Sequence, residues 1–264
     1  MRKIMQRLIL LVALVSSYQS MIFAVDHNNI DAGRPLGFDD ADAVAYRERA
    51  VEAGLSGNFP SDSKAGLGLG MEFLYGFALN THLSVDVDPS IGGRAGSDET
   101  RFDVGNVGVG LLHNFNREVE NIPAFAVRGD VFFPTGRDSD GTDVRLRGIM
   151  SKHLFQYDRV HLNLDGTFVS EVDGNERTFL SAMTLGYSKP LGYPRVFTRT
   201  GLAEISVRQA KVSDAGPSVR LGLGVRQQVT VRSVVDVGVQ SDVIASRSAS
   251  HDDFRIVAGY SVSF

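Results

Sequence analysis

Charged residues of opposite sign recur at spacings that let neighbouring strands place them side by side. Arg226 and Asp236 lie at equal distances from Val231 along the chain. A hairpin that turns at Val231 sets these two side chains opposite each other. The same turn sets Arg220 opposite Asp242, further along the two strands. The spacing therefore predicts paired charges on one face of a sheet.

A second predicted hairpin also carries charged residues of opposite sign, one acidic and two basic. A turn centred near Ser139 pairs the segment before it with the segment after it. Asp130 then lies between Arg145 and Arg147 across the strand pair. Two interpretations are open. The charges could line a pore that selects or orients a polar solute, or they could simply pair inside a narrow barrel and fix its register.

The polar faces of the alternating segments supply the other candidate site residues. Asp242 could also face Arg255 on the last segment. We expect a lumen of mixed charge. Its predicted lining is Glu72, Asp86, Arg128, Asp130, Arg145, Arg147, Arg159, His161, Asp165, Arg220, Arg226, Asp236, Asp242 and Arg255.

Two histidines, His153 and His161, fall on the inward face of adjacent segments joined by a short turn, so we expect them to be cross-strand neighbours. Two imidazoles so placed could bind a metal or titrate near neutral pH. Without a nearby carboxylate or thiolate they make a weak metal site. We therefore interpret them as a polar layer near the rim and predict no metal and no cofactor.

Strict alternation of apolar and polar residues positions these groups. Successive side chains of a strand point to opposite faces, so each alternating segment is predicted to be a strand. Eleven such segments are visible: about 67–79, 83–87, 107–111, 125–133, 144–150, 159–168, 179–187, a weaker one at 195–208, 219–229, 235–243 and 254–264.

A twelfth strand is expected because bacterial barrels of one chain have an even number of strands. Residues 46–58 are the candidate, with Val51 and Leu55 on one face and Glu52 and Ser56 on the other. Local propensity alone favours a helix over 39–53. Closure of the barrel favours the strand.

The predicted fold is therefore all-β, a transmembrane antiparallel β-barrel of twelve strands in up-and-down order. The alternative is a soluble periplasmic barrel, in which the apolar rows point into a core and the charged rows point outward. The number of strands, the length of the alternations and the uninterrupted apolar rows favour the membrane barrel. Apart from the connection 116–122, longer loops alternate with shorter turns, which predicts that both termini of the barrel lie in the periplasm.

The two ends of the chain fit the same location. Residues 1–24 resemble a secretory signal, with Arg2, Lys3 and Arg7 before a short apolar run and cleavage near Ala24. Residues 25–45 are predicted to be a periplasmic segment that could occupy the barrel mouth, and 46–264 to be the barrel. The final residues Tyr260, Val262 and Phe264 resemble the signal that the barrel assembly machinery recognises.

Composition excludes several classes of function. The chain has 27 basic and 31 acidic residues, and the predicted signal holds three of the basic ones, so the remainder is acidic. An acidic protein is a poor partner for nucleic acid. The sequence contains no cysteine, which excludes disulfides, thiolate metal sites and a cysteine nucleophile.

An enzyme is not expected. A lipid-active barrel needs a serine and a histidine on its lipid-facing surface, whereas Ser151, His153 and His161 lie on the inward row. No G-x-S-x-G sequence occurs. The glycines between Gly66 and Gly70 follow the strand period, so they are not a phosphate-binding loop. They could keep the lumen open or let a segment pack against the wall.

The stretch 122–168 resembles a known outer-membrane family, labelled as the putative meta-pathway of phenol degradation. The resemblance rests on Pro134-Thr135-Gly136 after an apolar strand, Ser151-Lys152 at the end of the next, and a strand that begins His161-Leu162-Asn163-Leu164. The early segment from Arg34 to Val44 is also similar to the family.

The resemblance implies a closed barrel that takes up small organic compounds, with aromatic or hydrophobic ones as candidates. The predicted function is an outer-membrane channel or facilitated-diffusion transporter, with outer-membrane lipid, the barrel assembly machinery and a small-molecule solute as partners. Two alternatives remain: a structural or interaction barrel with a filled lumen, acting as an adhesin or assembly partner, and a lipid-active enzyme.

Overall fold

The structure is a computed structural model that describes residues 34–60, 65–93, 100–137, 139–155, 157–192, 198–245 and 253–264. The predicted signal 1–24 and residues 25–33 lie outside the described residues. No helix in the described part of the chain is long and apolar enough to cross a membrane. The strands are β1 (Arg49–Phe59), β2 (Gly66–Ala78), β3 (Thr81–Val87), β4 (Ser90–Gly93), β5 (Thr100–Asp103), β6 (Val107–Asn116), β7 (Ala124–Phe133), β8 (Asp143–His153), β9 (Arg159–Phe168), β10 (Phe179–Pro190), β11 (Arg199–Arg208), β12 (Ser218–Thr230), β13 (Ser233–Ile244) and β14 (Phe254–Ser263).

The strands close into an antiparallel barrel. One sheet runs in the order β1-β14-β13-β12-β11-β10-β9-β8-β7-β6-β3-β2, and β1 also pairs with β2. The short strands β4 and β5 pair with each other and prolong β3 and β6, with β4 still bonded to β2. The described wall therefore has twelve strands in up-and-down order, which confirms the predicted fold.

The apolar rows face outward and the polar rows face inward. Leu223 and Leu55 are 64% and 62% exposed, whereas Asp130 and Arg226 are 1% and 2% exposed. A soluble barrel needs the reverse arrangement, so that alternative is wrong. The exposed apolar belt suits hydrocarbon, and each of the twelve wall strands has a partner on both sides, as a lipid-embedded sheet requires.

Residues 46–58 do form the first strand, although it begins at Arg49 rather than at residue 46. It pairs with β14 on one side and β2 on the other, for example Ala53 with both Tyr260 and Met71. These two ladders outweigh the helix propensity of the segment, because tertiary pairing satisfies its backbone on both edges.

Residues 34–45, which we call the inner segment, lie inside the barrel. The chain passes the strands in turn, from Arg34 beside β1 and β14, through Phe38 beside β10 and β9, to Val44 beside β3 and β2. Phe38 and Ala41 are 1% and 0% exposed. The segment therefore lies within the lumen, deeper than a position at the mouth alone.

The start of β1 and the end of β14 meet at one rim of the barrel, which we call the terminal rim. Phe264 N–H donates to the carbonyl of Arg49 at 2.9 Å, and Arg49 N–H donates to the carbonyl of Phe264 at 3.2 Å. The turns at 79–80 and 231–232 lie at this rim and are short, while the opposite rim carries the longer connections 134–142, 169–178 and 209–217. The predicted connections 90–100 and 246–252 fall largely outside the described residues.

Deleting Phe264 should reduce the assembled fraction of the protein several-fold. The deletion removes the paired bonds to Arg49 and an exposed aromatic side chain at the closing strand. Heat-modifiable migration on gels measures the folded fraction, and Phe264→Tyr is the matched control that keeps the ring and the backbone. Equal folded fractions for the deletion and the control would contradict the prediction.

Candidate functional site

The barrel encloses a cavity of about 680 Å³. Residues Arg34 to Gly37 and Asp39 of the inner segment line it together with side chains of the wall, so the segment bounds one side of the space. The wall contributes both signs of charge. Among the predicted residues, Glu72, Asp86, Arg128, Arg145, Arg147, Asp165, Arg220 and Arg255 line this cavity.

The other predicted residues lie against the inner segment or behind the arginines. Arg159, His161 and Arg226 contact the inner segment, and Asp236 lies beside Arg34. Asp130 and Asp242 are buried behind the guanidinium groups that they bind. The whole predicted set therefore points into the interior, although it does not form one site.

Asp130 bridges two arginines. Its Oδ1 accepts from Arg128 Nε at 2.8 Å, and its Oδ2 lies 2.9 Å from Arg145 Nη2. The predicted position between Arg145 and Arg147 is therefore half right. Arg147 lies opposite Arg128 in the register and binds Asp165 instead, with Nε 2.6 Å from Oδ1.

The hairpin of β12 and β13 confirms the predicted register. Arg226 pairs with Asp236, and Arg220 pairs with Asp242. The Arg220 guanidinium binds the Asp242 carboxylate through two bonds of 2.7 and 2.9 Å. Arg226 Nη2 lies 4.0 Å from Asp236 Oδ2, so this second pair is looser.

Arg255 does not lie directly opposite Asp242. The register of β13 and β14 sets Gln240 opposite Arg255. Asp242 binds Arg208 on β11 at 2.7 Å in addition to Arg220. The prediction that Asp242 faces Arg255 is wrong, because the pairing of β13 with β14 is offset by two residues from the assumed one.

Side chains of the wall hold the backbone of the inner segment. Glu204 Oε2 accepts from Gly37 N–H at 2.6 Å. Asn163 bonds both peptide groups of Asp39, with its Oδ1 accepting from the N–H at 2.7 Å and its Nδ2 donating to the carbonyl at 2.9 Å. These bonds satisfy buried peptide groups that water does not reach.

The same pattern continues along the segment. Ser151 Oγ accepts from Ala41 N–H at 3.0 Å, and Asn114 Nδ2 donates to the Ala41 carbonyl at 2.6 Å. His82 Nδ1 accepts from Val44 N–H at 3.1 Å. The wall residues that make these bonds are all less than a tenth exposed.

Apolar contacts place the segment at defined positions. Leu36 and Phe38 form a buried cluster with Leu202 of β11. A Cβ at Gly186 would overlap the Phe38 ring, and a Cβ at Gly238 would come 2.8 Å from Pro35. Glycines on β10 and β13 therefore make room for the segment, whereas Gly66 to Gly70, which the sequence suggested, contact it little.

Charges at the two ends of the segment meet opposite walls of the barrel. Arg34 Nη2 lies 2.5 Å from Glu52 Oε2 on β1. Asp39 Oδ2 lies 2.5 Å from Arg147 Nη1 on β8. Asp42 Oδ2 lies 3.0 Å from Arg159 Nη2 on β9. Strands β1 and β9 are separated by five strands in either direction around the barrel.

The two histidines are not direct cross-strand neighbours. His161 lies opposite Ser151, and His153 lies opposite Arg159. His153 Nδ1 instead lies 2.7 Å from the carboxylate of Glu118 at the terminal rim. Burial alone would raise the pKa of Glu118, but hydrogen bonds from Lys152 and His153 outweigh it and lower that pKa to about 2.

The assumption that no carboxylate lies near His153 is therefore wrong. Even so, no group of three metal-ligating side chains that could hold an ion occurs among the described residues. His161 is 0% exposed and bonds Ser151 at 2.9 Å and Ser188 at 3.1 Å. This serine–histidine pair faces the inner segment and not the lipid.

The sequence did not single out several residues that contact the segment. Glu204, Asn163, Asn114 and His82 are on inward rows, but they look like any other polar lining residue. Glu204 is the most informative omission. Its strand carries the inward apolar residue Leu202, which blurs the alternation and hides the inward row.

Comparison with known proteins supports the fold. No family model matches the chain, and no curated protein matches it. An outer-membrane channel from Pseudomonas putida F1 is similar with a TM-score of 0.67 at 14% identity, over 85% of this chain and 98% of that chain. The NanC porin is similar with a TM-score of 0.56 at 8% identity, over 80% and 98% of the two chains. The KdgM porin gives 0.52 at 12% identity, over 81% and 99%.

These likenesses are at low identity and concern the fold. Together with the closed wall and its outward apolar belt, they define the fold of this protein. The chain has the closed β-barrel fold of these outer-membrane channels and porins.

Replacing Asp130 by Asn should lower the free energy of unfolding by about 3–5 kcal/mol, because it leaves the buried Arg128 and the half-buried Arg145 without their shared carboxylate. Equilibrium unfolding in urea from detergent or lipid measures the change. Asp140→Asn, at an exposed position of the connection between β7 and β8, is the matched control and should stay within about 0.5 kcal/mol. Equal losses for both variants would show that the bridge contributes nothing specific.

Replacing Gly186 by Ala should displace the inner segment, because the new methyl group occupies the position of the Phe38 ring. Limited proteolysis of the folded barrel should then cut the segment several-fold faster. Gly148→Ala is the control, since nothing lies within 4 Å of a Cβ at that position. Unchanged cleavage in Gly186→Ala would mean that the segment adjusts without leaving its site.

Proposed function

We propose that this barrel is a channel for small polar organic solutes and that the inner segment closes it. The observation that carries the proposal is the cavity of about 680 Å³ lined by charges of both signs and bounded by residues 34–39. A polar lumen inside a lipid-facing wall offers solutes a path that the bilayer denies them. The outer-membrane channel and the porins of similar fold support the same proposal.

The lining favours solutes with polar groups. Among the described residues that line the cavity, Phe132 is aromatic. The central carbon of the Arg145 guanidinium lies 5.2 Å from the centroid of its ring. An aromatic solute, which the resemblance of 122–168 to the phenol-degradation family implies, would meet charged groups on the other sides. We therefore propose that any such ring carries polar substituents.

We also infer the surroundings of the barrel. The exposed apolar rows would contact outer-membrane lipid, and the closing strand with Tyr260, Val262 and Phe264 would be recognised by the barrel assembly machinery. Residues 1–24 would direct export and be removed, which leaves residues 25–45 as the segment that precedes the barrel.

Planar-bilayer recording tests the channel. The full chain should show small or infrequent currents, and deletion of residues 25–45 should raise the conductance several-fold, because it removes the segment that fills the lumen. Gly186→Ala, in which the segment is still present but displaced, should give intermediate currents, and Gly148→Ala should match the full chain.

A folded deletion variant that never conducts would overturn the proposal. The alternative of a barrel with a filled lumen, displaying its loops as an adhesin or assembly partner, would then be favoured, because the inner segment does occupy the lumen. Heat-modifiable migration of the variant establishes that it is folded, so a silent bilayer cannot be attributed to misfolding.

A further inference from the structure

The bonds between the wall and the inner segment have an unusual property: six side chains of the wall bind main-chain groups. Arg226 donates to the Arg34 carbonyl at 3.0 Å, and the bonds of the other five to Gly37, Asp39, Ala41 and Val44 are given above. The six residues are His82, Asn114, Ser151, Asn163, Glu204 and Arg226, each less than a tenth exposed. Bonds of this kind do not depend on the side chains of the bound segment.

Between residues 37 and 41 the spacing of these bonds is that of an extended chain. The wall binds the N–H groups of residues 37, 39, 41 and 44, and the first three of these are alternate residues. In a strand, alternate peptide groups point to the same side. Asn163 exchanges two bonds with Asp39, as a residue of a neighbouring strand does in a hydrogen-bonded pair. The wall thus recognises an extended peptide in the way a sheet edge does.

The side-chain positions beside this backbone track differ in chemistry. Phe38 lies between Gly186 and the His161 ring, whose centroid is 5.1 Å from its own. Ala41 packs in a small apolar site, and Asp39 pairs with a guanidinium group. On β13, the buried Asp236 carboxylate accepts no hydrogen bond from the described residues, so both of its oxygens could accept one from a ligand. An amino group with three donors would suit that carboxylate.

We propose that the lumen binds short extended peptides where the inner segment now lies, and that such peptides are a solute class of this channel. The proposal rests on the proposed channel function and names its substrate class. A peptide would take over the main-chain bonds of the segment, with its carboxylate toward Arg147 and its ammonium toward Asp236. Because a tethered segment competes at an effective concentration in the millimolar range, peptides should displace it at about millimolar concentrations or above.

Accessibility of a single cysteine tests the proposal on the full chain. The protein has no cysteine, so Ala41→Cys introduces one thiol at a position that is 0% exposed. A water-soluble methanethiosulfonate reagent should modify it slowly. Penta-L-alanine at about 10 mM should accelerate modification at least threefold, because displacement of the segment exposes the thiol.

Penta-D-alanine is the matched control. It has the same composition, charge and size but cannot make the same set of main-chain bonds, so it should leave the rate unchanged. Equal rates with both enantiomers, or acceleration only by a peptide copying residues 36–40, would overturn the proposal: in those cases the wall is specific for its own segment. Ala43→Cys, half-buried next to the first site, replaces Ala41→Cys if that variant fails to assemble.

A wall variant connects the effect to the bonds. Asn163→Leu removes both bonds to Asp39, so basal labelling should rise and the difference between enantiomers should disappear. If the enantiomers still differ in Asn163→Leu by as much as in the parent, the track does not bind the peptide and the proposal fails.

The outcome is separable from that of the channel proposal. If the barrel conducts ions but cannot distinguish the enantiomers, the peptide inference is wrong and the channel stands. If labelling distinguishes them while no variant conducts, the peptide site stands and the channel proposal fails.

Discussion

Closure of β14 onto β1 is the constraint on which the rest of the structure depends. A strand edge in hydrocarbon has no water to satisfy its peptide groups, so a sheet can span lipid only as a closed ring. Here the ladder runs from Phe254 to Ser263, and the bonds between Arg49 and Phe264 extend it to the rim. Closure forces one face of every strand outward into lipid and confines the other to a narrow interior.

Confinement then determines how the interior charges are arranged. A charge that bulk water does not reach needs a partner, and the cost of removing that partner is high. Asp130 satisfies two arginines of the wall, whereas Arg147 divides its bonds between Asp165 of the wall and Asp39 of the inner segment. The inner segment is thus part of the charge network of the wall. Its departure would alter the electrostatics of the lumen as well as its width.

The wall could be predicted from the sequence, but the interior contacts of the segment could not. A period of two specifies which residues share a face, and a tight turn specifies register, so the pairs of Arg226 with Asp236 and of Arg220 with Asp242 follow from spacing alone. The second partner of Arg147 does not follow from spacing, because Asp39 reaches it from a segment without periodicity. Asn163 and Glu204 bind main-chain groups, which leave no trace in the order of side chains.

One signal for the inner segment is nevertheless present in the wall. Leu112, Ile149 and Leu202 lie on inward rows where polar residues are otherwise expected, and each is less than a tenth exposed. An apolar side chain facing a polar lumen is favourable only if another apolar group covers it. Leu202 is covered by Leu36 and Phe38, and the other two by Ala41. The weak alternation of β11 therefore has a physical cause. In a barrel of this kind, apolar exceptions on the inward row mark where the chain itself lies in the lumen.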